Sequence, residues 1–329
     1  MAEPVRMVEV TRGGRVESVH LGHAVICRAD GRIVEGWGDP ATVIYPRSSC
    51  KMVQALPMVE AGVASLTDQR LALACASHQG AAIHTGPVAD WLAEIGADEA
   101  ALRCGAHRPK DRKTRDALIR AGREPDQTHN NCSGKHAGFV AFARHLGAGP
   151  DYIDIDHPVQ RQVREAFEDV TGEESPGYGI DGCSAPNFAT TMRGLARGMA
   201  QFADAGNRSG ARAEAQTRLV EAMMAYPELV AGKGRACTRL MRAAKGKAAV
   251  KTGAEGVFVG IIPDQGLGIA VKAADGATRA AEAVIAALLV RLGVLDAQDP
   301  AALAYLDAPV TNWRGIEVGR IKSVGELTG

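Results

Sequence analysis

Apolar and polar residues alternate in two stretches near the N-terminus and again in the last third of the chain. Residues 23–28 and 32–37 flank the turn Asp30-Gly31 and predict a hairpin within residues 22–45. After Gly246 the pattern predicts strands at residues 249–253, 257–262, 267–273 and, near the C-terminus, 312–321. Strands at both ends of the chain favour one antiparallel sheet that both termini complete.

Apolar residues recur at helical spacing through most of the middle of the chain. Residues 49–61 predict a helix directly after the hairpin, which Pro57 kinks or divides. The clearest helix ends are those of residues 157–171, with Asp156 as N-cap, Pro158 in the first turn and Gly172 after the end. Further helices are predicted at residues 68–75, 87–95, 134–146, 186–203, 211–225 and 277–292.

These elements predict an α+β fold in a single domain of 329 residues. Helices flank an antiparallel sheet completed by both termini, and a mostly helical lobe is inserted into it. We expect the α/β lobe to comprise about residues 1–65 and 246–329, and the helical lobe about residues 66–245.

The balance of charges along the chain limits the classes of partner that it can attract. Lysine and arginine number 38, as do aspartate and glutamate, so no net field attracts nucleic acid or an anionic membrane. The apolar run at residues 283–290 is far shorter than the roughly 20 residues that a membrane span needs. Residues 1–10 contain three charged side chains and lack the apolar stretch of a secretory signal. We therefore expect a cytoplasmic protein that acts on a small molecule.

Ser48 and Lys51 are the first candidates for chemistry. They lie three residues apart where the predicted hairpin gives way to a helix, so both can project toward one side of its first turn. The helix N-terminus disfavours a protonated lysine and favours a developing alkoxide, which suits a serine nucleophile with a lysine base. A capping serine beside an exposed lysine remains the alternative.

Lys251, Thr252 and Gly253 strengthen this interpretation. Lysine, hydroxyl and glycine at a strand can line a site where the backbone approaches a substrate closely. With Ser48 and Lys51 they resemble the serine β-lactamase, penicillin-binding-protein and glutaminase group. The Ser-Asp-Asn motif of the lactamases is absent from the sequence, and no deacylating glutamate can be assigned. Ser77, in Ser-His-Gln-Gly, is a candidate for the second serine, with a plain loop serine as the alternative.

Two cysteines form a third group of candidates. The chain has seven cysteines, and without an export signal an odd number favours free thiols. Cys132 lies between His129 and His136, and Cys183 follows Asp181 by two residues. Two thiols with neighbouring histidines, lysine and aspartate can bind zinc, although a closed structural site needs four ligands. Two buried free cysteines are the alternative.

These motifs together resemble the rhizobial-type, class 3 L-asparaginases over essentially the whole chain. The resemblance rests on residues 46–51, 77–80, 130–136, 181–183 and 251–253. It implies two facing Ser-Lys tandems, a fold similar to that of serine β-lactamases, and a homodimer. It also implies Ser48 with Lys51 and Ser77 with Lys251 as catalytic pairs, a zinc ion (Zn2+) held by Cys132, Lys135 and Cys183, and substrate binding by Arg47, His78, His136, Asp181, Thr252 and Gly253.

The expected reaction is hydrolysis of L-asparagine to L-aspartate and ammonia, with zinc assisting substrate binding. A glutaminase or broader amidase of the same fold is the nearest alternative, because one methylene is worth only about 1–3 kcal/mol of discrimination. A β-lactam or peptidoglycan enzyme fits less well, since its substrates are extracytoplasmic. A non-catalytic, zinc-dependent amino-acid sensor would bind asparagine without releasing ammonia.

Overall fold

The chain forms two units in the computed structural model, which describes residues 3–64 and 66–328. The sheet unit comprises the residues up to Ser49, Thr190–Asp204 and the residues from Arg239 onward. The helical unit comprises Cys50–Ala189 and Ala205–Thr238. Compared with the expected lobes, the helix after the hairpin lies in the helical unit, and residues 190–204 lie in the sheet unit. Residues 1, 2, 65 and 329, which the expected lobes include, lie outside the described residues.

An eight-stranded antiparallel sheet dominates the sheet unit, in the order β11-β12-β1-β2-β10-β9-β8, with β3 paired to β2. The N-terminal strand β1 pairs with the C-terminal strand β12, so both termini complete the sheet and the predicted α+β class is confirmed. The strands are β1 (Val5–Arg12), β2 (Arg15–Arg28), β3 (Ile33–Trp37), β8 (Ala249–Thr252), β9 (Val257–Ile262), β10 (Leu267–Ala273), β11 (Asp307–Thr311) and β12 (Glu317–Ser323), with a separate pair β4 (Val43–Ile44) and β7 (Thr190–Thr191).

Helices cover the sheet because its central strands are apolar on both faces. Every residue of β9 is buried, and β10 has only one residue that is not. Helix α7 (Met192–Ala203) packs against β10, β2 and β9, and α11 (Thr278–Arg291) packs against β10 and β9. A third helix, α12 (Pro300–Leu306), packs against α11. The residues between α11 and β11 therefore include a helix that was not predicted from the sequence.

The helical unit is built around α1 (Lys51–Glu60), which is buried from Lys51 to Val59. It packs against α5, α6 and α8, and α2 packs against α5 and α8. The remaining elements are α2 (Asp68–Ala74), α3 (Ala82–Glu94), α4 (Arg112–Arg120), α5 (Ser133–His145), α6 (Pro158–Thr171), the strand pair β5 (Tyr178–Ile180) and β6 (Pro186–Phe188), α8 (Ala211–Ala225) and α9 (Pro227–Val230), while α10 (Ala236–Ala244) continues from this unit into the other.

Several predicted boundaries were wrong. The N-cap of α6 is His157 rather than Asp156, because His157 Nδ1 accepts a hydrogen bond from the backbone N–H of Val159 at 3.1 Å. The helix predicted at 186–203 begins only at Met192, since the residues before it pair as β6 and β7. The helix predicted at 87–95 begins at Ala82, with Pro87 inside it.

Strand pairing explains the other differences. Of the predicted strand 312–321, only residues 317–321 belong to a strand, β12, and residues 312–316 form the turn that joins it to β11. In this turn, Asn312 Oδ1 accepts hydrogen bonds from the backbone N–H groups of Arg314 and Ile316. The predicted hairpin forms between β2 and β3, but β2 extends back to Arg15 and pairs with β1 as well. Helix α4, which contains no buried residue, was not predicted, because its apolar residues are the consecutive positions 117–119 and do not repeat at helical spacing.

Replacing Gly268 with alanine should destabilise the protein by at least about 1–3 kcal/mol. A Cβ at Gly268 in β10 would lie 2.1 Å from the backbone nitrogen of Ala200 and 2.2 Å from the carbonyl oxygen of Ala196, both in α7. Backbone atoms cannot rotate away as a side chain can, so α7 would have to shift. Chemical or thermal unfolding of the variant measures the loss.

The matched control for this prediction is Gly86→Ala. Gly86 lies inside α3, and a Cβ there would meet no atom within 4 Å. Alanine in place of an unstrained helical glycine should stabilise the protein by about 0.5–1 kcal/mol. Equal effects of the two substitutions would contradict the packing of α7 on β10.

Candidate active site

Lys51 is the best-defined catalytic candidate in the helical unit. It is the first residue of α1 and only 1% exposed. Its Nζ donates hydrogen bonds to the backbone carbonyl of Ala76 and to Cys132 Sγ, the latter at 3.0 Å. Ala76 directly precedes Ser77, which is also buried. The fold therefore brings the predicted base to the backbone beside the second predicted serine and to one predicted zinc ligand.

Cys132, Lys135 and Cys183, here called the thiol cluster, converge inside the helical unit. Cys132 and Lys135 flank the start of α5, and Cys183 lies in the loop between β5 and β6. Lys135 Nζ donates to Cys183 Sγ at 3.1 Å, and the Cys132 thiol interacts with Cys183. All three side chains are at most 4% exposed. Lys135 and Cys183 are 48 residues apart in sequence. The three predicted ligands are nevertheless neighbours in the fold.

The charges of the thiol cluster are unequal. The hydrogen bond from Cys132 holds the pKa of Cys183 well below that of an ordinary thiol, and the same bond raises the pKa of Cys132. Burial disfavours the ammonium of Lys135, but the charges of Cys183 and Cys132 outweigh burial and raise its pKa. Burial alone therefore does not keep this lysine neutral, because Cys183 is its counter-ion.

The donor atoms of the thiol cluster fit a metal ion that accepts sulfur and nitrogen ligands. A thiolate is the form of cysteine that binds metal, and Cys183 already favours it. Within residues 3–64 and 66–328, no group of three His, Cys, Asp or Glu side chains is placed to hold a metal. A metal ion at this position therefore needs the lysine as its third protein ligand, and Lys135 would have to lose a proton.

The loop around Cys183 has a constrained backbone. Ser184 adopts a left-handed conformation (φ 68°), which is uncommon for a residue with a side chain. The turn is closed by backbone hydrogen bonds from Ser184 to Asp181 and from Asp181 to Ala185. Asp181 is half-buried, and its negative charge adds to the effects that raise the pKa of Lys135. This turn presents Cys183 and Asp181 on the same short segment.

His136 is enclosed beside the thiol cluster. It is completely buried, and its Nδ1 lies 2.9 Å from the hydroxyl of Tyr152. Burial lowers the pKa of His136 to about 4, with the charge of Lys135 as the next contribution. The imidazole is therefore neutral at physiological pH, and it lies close enough to Cys183 to help lower the pKa of that thiol.

His78 shapes the loop that carries Ser77. It is completely buried, its Nδ1 accepts from the backbone N–H of Gly80 at 3.1 Å, and its Nε2 lies 2.9 Å from Ser133 Oγ. Burial holds its pKa well below the usual range, so it is neutral. Both ring nitrogens bond within the protein, which favours a role in holding the loop. Its predicted contact with substrate stays a prediction.

Gly253 lies close to the turn that carries Ser48 in the sheet unit. Ser48 is in the 3-10 turn Arg47–Cys50 that directly precedes α1, and Arg47 has a left-handed backbone (φ 56°). A Cβ at Gly253 would lie 2.7 Å from the carbonyl oxygen of Pro46 and 3.3 Å from Ser49 Cβ. Only glycine permits the end of β8 to approach this turn so closely. The two lactamase-like motifs thus meet through their backbones.

Ser48 differs from its neighbour Ser49. Ser49 is completely buried and its Oγ donates to the carbonyl of Pro46 at 2.7 Å, whereas Ser48 is half-buried. In β8, the buried Lys251 donates from Nζ to the carbonyl of Thr252 at 2.8 Å. Thr252 Oγ1 donates to the carbonyl of Gly253 at 3.2 Å. The pairing of Ser48 with Lys51 and of Ser77 with Lys251 stays a prediction.

Three contacts of the thiol cluster and His136 were not foreseen from the sequence. Cys132 Sγ lies 3.4 Å from Asn131 Oδ1, and the backbone N–H of Cys132 donates to Asn130 Oδ1 at 2.8 Å. These asparagines belong to the motif that signalled the site, but no role had been predicted for them. Tyr152 contacts His136 from a loop that carries no motif, so the sequence offers no signal for it.

Comparison with known proteins identifies the family of this chain. A model of the L-asparaginase II family matches residues 8–323, so the chain belongs to the L-asparaginase II family. Membership in this family supports an amidohydrolase as the class of enzyme. No curated protein matches the sequence. Within the described residues, the helices are too short or too polar to cross a membrane.

Solved structures similar to this chain include Mglu and β-lactamases. Mglu in its native form is 15% identical (TM-score 0.48) over 86% of this chain and 66% of that chain, and Mglu in its glutamate form is 14% identical (TM-score 0.49) over 83% and 61%. A β-lactamase from Mycobacterium bovis is 15% identical (TM-score 0.45) over 82% and 94%. This chain thus spans less than two thirds of the Mglu chains, and TM-scores below 0.5 support no statement about its chemistry.

Proposed function

We propose that the chain is an L-asparagine amidohydrolase, which converts L-asparagine and water to L-aspartate and ammonia. The observation that carries the proposal is the family match over residues 8–323. The geometry supports it with a buried lysine amine at the start of α1, three residues after a half-buried serine. The test is ammonia release from asparagine by metal-analysed protein. Asparagine binding without ammonia release would favour the sensor alternative.

In the proposed reaction, Lys51 Nζ takes the proton of Ser48 Oγ while the oxygen attacks the side-chain amide carbon of the substrate. The carbon–nitrogen bond then breaks, the nitrogen takes a proton and leaves as ammonia, and a β-aspartyl ester remains on Ser48. Water attacks the ester, releasing aspartate and returning the proton to Ser48. Ser77 and Lys251 relay protons, and backbone N–H groups hold the oxyanion.

The proposed zinc site consists of Cys132, Lys135 and Cys183. A bound zinc ion supplies a positive centre that orients the amino-acid head group of the substrate, beside Asp181 and His136. Arg47, Thr252 and Gly253 complete the proposed substrate contacts. A cytoplasmic homodimer is part of the proposal, on the basis of the sequence resemblance alone.

Replacing Cys183 with serine should lower zinc affinity by more than the roughly 10–100-fold that the loss of an outer-shell partner costs. Cys183 is the thiol of the cluster that favours the thiolate form, so its loss removes the strongest donor. The measurement is the zinc content per chain after dialysis at a fixed free-zinc concentration. Wild-type protein should retain about one zinc per chain.

Cys104→Ser is the matched control for the zinc measurement. Cys104 is also buried, its Sγ donates to the carbonyl of Gln127 at 3.6 Å, and burial raises its pKa to about 12. A serine hydroxyl can make the same hydrogen bond, and a protonated thiol is a poor metal ligand. Unchanged zinc content in Cys183→Ser, or equal loss in both variants, would remove the zinc assignment.

Glutamine is the alternative substrate that the site must exclude. Because one methylene changes discrimination by about 1–3 kcal/mol, the ratio of kcat/KM for asparagine over glutamine should be about 10–200. Because both amides release ammonia, the measurement is the ratio of aspartate to glutamate formed from an equimolar mixture of the two. A ratio below one would reassign the enzyme as a glutaminase of the same family.

A further inference from the structure

Tyr152 has a complete and restrictive set of hydrogen-bond partners. It is 1% exposed, and its hydroxyl oxygen accepts from the backbone N–H of Arg103 at 2.8 Å. Among the residues that the structure describes, the acceptor within reach of the hydroxyl hydrogen is His136 Nδ1, at 2.9 Å. A hydroxyl has one hydrogen to donate, and a buried donor without an acceptor is costly. The hydroxyl of Tyr152 therefore donates to Nδ1.

The direction of this hydrogen bond decides which ring nitrogen of His136 carries the proton. A neutral imidazole carries its proton on one nitrogen, so an accepting Nδ1 leaves the proton on Nε2. Nε2 is buried, makes no hydrogen bond of normal geometry within the described residues, and lies near Cys183. If Nδ1 carried a proton instead, both Nδ1 and Arg103 would donate to Tyr152, and its hydroxyl hydrogen would have no acceptor.

Aromatic packing holds the two rings in this relation. The rings of His136 and Tyr152 meet edge to face with centroids 5.5 Å apart. Phe139, one turn further along α5, lies 5.9 Å from His136 and 5.8 Å from Tyr152. Because three rings contact one another, the imidazole cannot flip without displacing its neighbours. Packing and hydrogen bonding thus select the same orientation.

We infer that Tyr152 is a positioning residue that fixes His136 as the Nε2–H tautomer, so that His136 presents a hydrogen-bond donor beside the thiol cluster. In the proposed function this donor serves the anionic head group of the substrate, beside the Cys183 sulfur that it also helps to hold as thiolate. Only the identity of that acceptor rests on the proposed function. The tautomer itself follows from the contacts of Tyr152.

The direct test is nitrogen NMR of protein labelled with 15N-histidine, which distinguishes a protonated ring nitrogen from an unprotonated one. His136→Gln identifies the signals of His136 by their disappearance. We expect wild-type protein to show an unprotonated Nδ1 and a protonated Nε2 at this residue, and Tyr152→Phe to lose this preference. Phe139→Leu, which alters packing but no hydrogen bond, should keep it. An Nδ1–H tautomer or an imidazolium in the wild type would overturn the inference.

Kinetics test the consequence separately. Tyr152→Phe should raise KM for asparagine about 3- to 10-fold, the effect of one misdirected hydrogen bond, with kcat nearly unchanged. In a His136→Gln background, the amide of glutamine supplies a donor that does not depend on Tyr152, so adding Tyr152→Phe should change KM less than about twofold. Equal effects in both backgrounds would mean a purely structural role and overturn the inference. If the wild type released no ammonia, the proposed function would fail while the NMR result still decided the tautomer.

Discussion

Replacing Ser48 with alanine should abolish ammonia release from asparagine, lowering kcat by about 10,000-fold or more, as loss of a serine nucleophile does elsewhere. Ser48 lies in the 3-10 turn before α1, is half-buried, and follows Arg47, whose left-handed backbone marks a constrained turn. Alanine keeps the backbone of that turn and removes only the proposed attacking oxygen. Single-turnover and steady-state ammonia assays measure the effect, and an unchanged melting temperature shows that the fold is intact.

Ser49→Ala is the matched control at the adjacent residue. Ser49 is completely buried and its hydroxyl donates to the carbonyl of Pro46. Its removal should cost about 0.5–1.5 kcal/mol of stability and leave kcat within about tenfold of wild type. Loss of activity in Ser49→Ala with retention in Ser48→Ala would transfer the nucleophile to the buried serine. Retention in both would leave Ser77 as the serine to examine.

The sheet was predictable because its strands carry their own signals. β9 and β10 are short, continuous apolar runs bounded by turn residues, and both were predicted with the correct ends. The segment before α7 was predicted as helix and is not, because residues 186–188 pair with β5 just upstream and residues 190–191 pair with the distant β4. Strands of two or three residues are too short to show an alternating pattern, and a partner distant in sequence leaves no local signal, so periodicity could not reveal them.

The sequence predicted which residues of the thiol cluster lie together better than it predicted their charges. The family resemblance implied that Lys135 and Cys183 are neighbours, and their side chains are 3.1 Å apart. The sequence did not foretell that Lys51 also reaches Cys132, or that the Cys183 thiolate raises the pKa of Lys135 against the effect of burial. Such charge states depend on which groups share a buried space, and only the fold determines that.

Replacing Lys51 with arginine should lower kcat by about 100- to 10,000-fold, although the side chain keeps its positive charge. Arginine cannot lose its proton in a protein, so it cannot serve as the base for Ser48. Lys51→Met, which removes both charge and amine, should be at least as inactive and should also lose the hydrogen bonds to Ala76 and Cys132. Ammonia release at saturating asparagine measures kcat in both.

Zinc content separates this role of Lys51 from that of Lys135, the other buried lysine beside the cysteines. Lys51 is not among the proposed ligands, so Lys51→Arg should retain zinc while losing turnover. Lys135→Met removes a proposed ligand, so it should lose zinc and raise KM more than it lowers kcat. The two variants are matched because both replace a lysine that donates to a cysteine sulfur at 3.0–3.1 Å. Near wild-type kcat in Lys51→Arg would show that the charge of Lys51 matters and its basicity does not. The proton of Ser48 would then need another acceptor. Lys251 is the proposed alternative.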